Sequence, residues 1–83
     1  MRRVKLLYFA ALREAMGVSE AAVELPDDVR TVADLARFLE RSEPQLAGRL
    51  SSVRFALNEA FAEPDAPLSA GDVVALIPPV SGG

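Results

Sequence analysis

With 83 residues and a formal charge of −3, the chain accommodates a single small domain whose limited core leaves room for a stabilising partner. It contains neither cysteine nor histidine, which excludes disulfides, thiol nucleophiles and side-chain persulfides and argues against metal binding and self-contained acid–base hydrolysis. Its basic residues, from Arg2, Arg3 and Lys5 to Arg54, are interleaved with acids, so nucleic acid is not an expected partner.

The apolar run Leu6–Leu12 is cut short by Arg13-Glu14 and shows no small-residue cleavage pattern, so neither a signal peptide nor a membrane span is expected and the cytoplasm is the expected location. Across Val4–Phe9 the residues Val4, Leu6 and Tyr8 alternate with Lys5, Leu7 and Phe9 with little polarity. That pattern predicts a central strand covered on much of both faces. Ala10–Met16 is rich in helix formers and stops at Gly17, a residue able to take the left-handed conformation, which predicts a short helical turn. Ser19–Leu25 alternates and closes at Pro26-Asp27-Asp28, giving a second strand paired with the first.

Thr31 can cap a helix with Asp34 three positions on, and Val32, Leu35, Ala36 and Leu39 recur at helical spacing. This is the principal helix, and Pro44 ends it by forcing Glu43 out of helical geometry. Leu46 and Leu50 then suggest another short helical turn. Val53, Phe55 and Leu57 form a strand, Asn58-Glu59 a turn and Ala60–Ala62 a brief strand, followed by the proline-containing stretch Pro64–Pro67. Ala70-Gly71-Asp72 reads as a tight turn and Val73–Ile77 as a buried strand bounded by Pro78-Pro79. The order predicts an α+β layer: a mixed sheet of four or five strands over residues 1–77 with one principal helix packed on it.

Residues 78–83 form an extended tail. Pro78 and Pro79 cannot donate to a sheet ladder and hold φ near the polyproline value, which aims the chain outward. At about 3.3 Å per residue the segment Pro78–Gly83 could reach roughly 20 Å, enough to enter a partner's active site. Gly82 and Gly83 lack β carbons and pass through a narrow channel, leaving the terminal carboxyl unhindered. A free carboxylate is a poor acyl donor, but an activating enzyme that joined it to AMP from ATP would make it a mixed anhydride open to a sulfur nucleophile or an amine.

Other candidates carry a structural reading beside the functional one. Phe61, between Glu59 and Glu63, is by its own pattern more often a core anchor than a partner contact. Leu7, Phe9 and Ile77 fit a core or an apolar patch on the sheet face away from the helix, and alternation among apolar neighbours does not fix which. A lone arginine such as Arg13 is usually solvated or weakly paired. Asp27-Asp28 and the pair Glu20, Glu24 are read as solvated acids rather than metal ligands, and Asp72 as turn chemistry.

The ending Pro78-Pro79-Val80-Ser81-Gly82-Gly83 resembles that of the sulfur-carrier small subunits of molybdopterin synthase. The resemblance extends over Leu6-Leu7-Tyr8-Phe9-Ala10, Arg13-Glu14, Gly17, Thr31-Val32 with Leu35, Asn58, Pro67-Leu68, Gly71-Asp72 and Val74-Ala75. It implies a ubiquitin-like β-grasp fold in which Gly83 is adenylated by an activating enzyme similar to ubiquitin activators and converted to a thiocarboxylate with sulfur from a donor protein. The sulfur then passes to cyclic pyranopterin monophosphate held by the large synthase subunit, in a heterotetramer of two small and two large subunits. By the same resemblance Gly82, Ser81, Val80, Pro79 and Pro78 thread into the partner, and Arg13, Phe61, Ile77, Leu7 and Phe9 belong to the partner interface. The chain itself would bind no cofactor or metal and would donate sulfur rather than catalyse, ATP being consumed by the activating enzyme. The alternatives are a carrier for thiamin or nucleoside thiolation, a ubiquitin-like protein modifier, and a β-grasp binding module with an inert tail.

Overall fold

A computed structural model describes residues 2–79. Five strands, β1 (Arg2–Tyr8), β2 (Glu20–Leu25), β3 (Arg54–Leu57), β4 (Ala60–Phe61) and β5 (Val73–Ile77), form one sheet in the order β2-β1-β5-β3-β4. β5 lies parallel to β1, and the other pairings are antiparallel. The sheet is therefore mixed, with β1 and β5 at its centre. Helix α1 (Ala10–Met16) links β1 to β2, and α2 (Val32–Ser42) crosses to the far half of the sheet through 3-10 turns at Pro44–Leu46 and Leu50–Ser52. This is the β-grasp arrangement.

Leu6, Leu25, Leu35, Leu76 and Val74 are fully buried in a core formed between α2 and one face of the sheet, joined by Leu12 of α1 and Leu46 of the connecting turn. Each fully buried apolar side chain contributes about 1.5–3 kcal/mol. The expectation of strands covered on both faces fails here. In β1 and β5 burial alternates, with Val4, Leu6, Tyr8, Val74 and Leu76 inside while Lys5 is exposed and Leu7, Val73, Ala75 and Ile77 are half-buried. One helical layer covers one face, and the apolar residues on the other face are not core.

The stretch Ala10–Met16 is a helix of seven residues rather than a turn. Gly17 ends it as expected, with φ 77° and its N–H donating to the Arg13 carbonyl at 2.9 Å. At the start of α2 the Asp34 amide donates to Thr31 Oγ1 and the Thr31 amide to Asp34 Oδ2, both at 3.2 Å. Two further first-turn amides, those of Val32 and Ala33, donate to the carbonyls of Ala66 and Pro64. The proline-containing loop thereby satisfies donors that a helix cannot satisfy itself.

Asp34 accepts from the Arg30 amide at 3.0 Å and pairs with Arg37 at 2.6 Å. The Arg30 amide, followed by the Thr31 amide and side chain and the Arg37 guanidinium, holds its carboxyl below the ordinary aspartate value against partial loss of water. A lowered native value means that its contribution is complete above the unfolded-chain value, about pH 4, and is lost as pH falls through the native one. Asp34→Asn is accordingly expected to flatten the acid limb of a plot of unfolding free energy against pH while leaving the slope near neutrality unchanged, as denaturant titrations between pH 2 and 7 would show.

Candidate functional site

The face of the sheet away from α2 carries a continuous apolar row. Leu7 on β1 stands opposite Ala75 on β5, Ala75 opposite Ala56 on β3, and Ala56 opposite Phe61 on β4. Two alanines between two large side chains leave a trough. With Phe9, Val73, Ile77, Asn58 and Glu59 it forms a depression of about 600 Å³. Phe61 is 63 % exposed and Phe9 45 %, so both rings stand outside the core and make this a candidate interaction surface.

The row itself carries no charge. Towards β2 the ion pairs Arg3–Glu24 at 2.7 Å and Lys5–Glu20 at 3.7 Å neutralise one another, and Glu59 is the one charged residue lining the depression. Among the described residues no group of three or more histidine, cysteine, aspartate or glutamate side chains is placed to hold a metal. Nor does the face pair a nucleophile with a base. What this surface can do is dock.

The β3–β4 hairpin positions Phe61. Its turn residues Asn58 and Glu59 have φ of 51° and 74°, the signature of a two-residue turn whose twist matches the strands it joins. Asn58 locks the hairpin to β5: its N–H donates to the Val73 carbonyl at 2.8 Å and its Oδ1 accepts from the Val73 amide at 2.9 Å. Its Nδ2 donates to Asp72 Oδ1 at 3.0 Å, while Asp72 Oδ2 accepts from the Ser69 amide at 2.7 Å. Asp72 thus serves the turn, as its position after Gly71 suggests. Asparagine tolerates left-handed backbone, but glutamate pays for it and glycine does not. Glu59→Gly is expected to stabilise the fold by about 0.5–1 kcal/mol in denaturant titration, once the extra chain entropy of glycine is subtracted from the relieved strain.

β5 ends at Ile77, on the rim of the depression, and continues into Pro78, half-buried, and Pro79, exposed. Because β5 runs parallel to β1, the chain leaves the sheet at the end where Phe9 follows β1. The sequence-based candidates Val80, Ser81, Gly82 and Gly83 lie outside the described residues. Leu7, Phe9, Phe61 and Ile77 converge on one surface, so the core alternatives for these four residues give way to the patch. Arg13 is exposed on α1, its amide 3.4 Å from the Phe9 carbonyl, and is not among the residues lining the depression. Sequence reasoning missed Ala56, Ala75 and Val73. For Ala75 and Val73 the signal was the alternation of β5 itself, hidden because both of its faces are apolar, and for Ala56 it was the alternation of β3 with the buried Phe55.

The ThiS family matches residues 6–83. A molybdopterin synthase sulfur carrier subunit of Chlamydomonas reinhardtii is 41 % identical over 83 residues, spanning 98 % of this chain and 99 % of that protein. Among solved structures, the small archaeal modifier protein 1 of Haloferax volcanii superposes with a TM-score of 0.83 at 27 % identity, covering 96 % of this chain and all of that one. A chain of the complex of subunits 1 and 2 of the molybdopterin-converting factor from Helicobacter pylori superposes with a TM-score of 0.70 at 27 % identity, covering 98 % of this chain and 99 % of that one.

Proposed function

The chain belongs to the ThiS family, whose match runs through Gly83, and from that premise we propose that it is a sulfur carrier for molybdopterin synthesis whose reactive group is the Gly83 carboxyl. The observation that carries this reading is the continuity of surface and tail. The last residue of β5, Ile77, belongs to the apolar depression, and Pro78-Pro79 follow it directly. A partner docked on the depression therefore receives the tail at its own surface.

The chemistry follows from what the chain lacks. Without a cysteine it cannot carry sulfur on a side chain, so the carrier atom has to be placed on the backbone terminus. An activating enzyme joins the Gly83 carboxylate to AMP from ATP, releasing pyrophosphate. Hydrosulfide delivered by a donor protein attacks the anhydride carbonyl: the C–S bond forms as the C–O bond to AMP breaks, AMP leaves and the thiol proton passes to solvent. The resulting thiocarboxylate sulfur bonds to a carbon of cyclic pyranopterin monophosphate in the large subunit, and water then cleaves the acyl C–S bond, leaving sulfur on the pterin and returning Gly83 as a carboxylate, with Pro78, Pro79, Val80, Ser81 and Gly82 spanning the distance from the docking face. Leu7, Phe9, Phe61 and Ile77 hold the large subunit and, in turn, the activating enzyme, and Arg13 adds to that interface. The assembly is two small and two large subunits in the cytoplasm; among the described residues no helix is long and apolar enough to cross a membrane.

Reconstitution tests the assignment: the activated chain, the large subunit and cyclic pyranopterin monophosphate are expected to yield molybdopterin. Failure there, with transfer to a thiazole precursor, a nucleoside or a lysine amine under matched conditions, would reassign the carrier. The likeness to a small archaeal modifier protein makes the lysine acceptor the second reading to include.

A further inference from the structure

Phe61 stands on a two-residue strand at the edge of the sheet, a poor place from which to present an anchor. A ring at an edge, 63 % exposed, loses rotational freedom when a partner closes over it, and that loss weakens docking unless the ring is ordered beforehand.

The structure holds a device that orders it. Arg54 is opposite Ile77 across β3 and β5, so it projects from the same face as the apolar row. Its guanidinium carbon lies 4.2 Å from the centroid of the Phe61 ring, well inside the range of a cation–π contact. Phe61 lines both the depression and a second concavity between α2 and the β3–β4 hairpin, whereas Arg54 lines only the second. The guanidinium thus meets the ring where this second concavity borders the depression and is not itself part of the depression's lining. Among the described residues Arg54 takes part in no ion pair; the aromatic ring is its one specific side-chain contact.

We propose that Arg54 is a positioning residue for docking: its guanidinium holds Phe61 upright at the rim of the depression before the large subunit arrives, so that affinity depends on Arg54 through Phe61. This rests on the docking role of Phe61 argued above. The planar guanidinium suits it better than an ammonium group, which carries the charge but offers no flat surface to stack.

A double-mutant cycle tests the proposal, with binding of the purified large subunit from the same organism measured by calorimetry below the unfolding temperature of every variant. Arg54→Ala is expected to weaken binding about twofold to fivefold, and Arg54→Lys to fall between the two. In a Phe61→Leu background Arg54→Ala should have no further effect. In the free chain the side-chain protons of Arg54 should show a ring-current shift that Phe61→Leu abolishes. Equal weakening by Arg54→Ala in both backgrounds would mean that Arg54 acts independently of the ring, and would overturn the proposal. So would undiminished binding in the otherwise native chain. Unchanged binding by Phe61→Leu alone would instead remove the docking role on which the proposal depends.

Discussion

Deletion of Gly83 is expected to reduce sulfur transfer to the pterin by at least 100-fold while leaving the thermal midpoint unchanged. Shortening the tail moves the carboxyl back by about 3.3 Å, and a misplacement of even 1 Å at a reacting centre can cost about 100-fold in rate. Stability is untouched because the residues that form the core, Val4 to Leu76, all precede the tail. The measurement is single-turnover formation of molybdopterin with excess large subunit, alongside a thermal melt of each chain. A deletion variant that melted normally and still transferred sulfur at an undiminished rate would separate the terminus from the chemistry.

Phe61→Ala is expected to weaken binding of the large subunit by about 30-fold or more, corresponding to the 2 kcal/mol or more typical of an aromatic anchor that a partner encloses. The ring makes the outer wall of a trough floored by Ala56 and Ala75 and closed on the far side by Leu7. Without it a partner side chain seated on the alanines is left open to water. Since Phe61 is already 63 % exposed, its truncation should shift folding stability by no more than about 0.5 kcal/mol. Calorimetric titration with the large subunit reads the first effect and denaturant titration the second. Weakened folding with unchanged binding would return Phe61 to the core.

Residues with strong local signatures announced their structure in the sequence. Thr31 and Asp34 form the predicted reciprocal cap, Gly17 takes the left-handed conformation, and Pro44 leaves Glu43 extended at the end of α2. Asn58-Glu59 makes the expected turn. These outcomes depend on chemistry within a few positions, which periodicity and capping rules address directly.

Long-range relationships were less accessible. Nothing local states that β5 is inserted between β1 and β3, although that insertion brings Leu7, Ala75, Ala56 and Phe61 into one row. Nor could alternation identify the open face, because Leu7 and Ile77 are as apolar as the core residues Leu6 and Leu76. Phe61 shows the difficulty most plainly. Its composition-based reading as a core anchor is reversed by its place on an edge strand beyond the reach of the single helical layer. The tail drew attention for the opposite reason: in a chain lacking cysteine and histidine, the terminal carboxyl was the group left to consider, and Val80 to Gly83 lie outside the described residues.

The central claim is that the Gly83 carboxyl is the sulfur-carrying group. Incubating the chain with its activating enzyme, ATP and a sulfur donor, then locating any mass change by fragmentation, tests it most directly, with the chain lacking Gly83 as control. Exchange of one oxygen for sulfur confined to Gly83 is the predicted result. An unchanged mass with an enzyme shown to be active on another carrier would contradict the claim and leave a docking module with an inert tail.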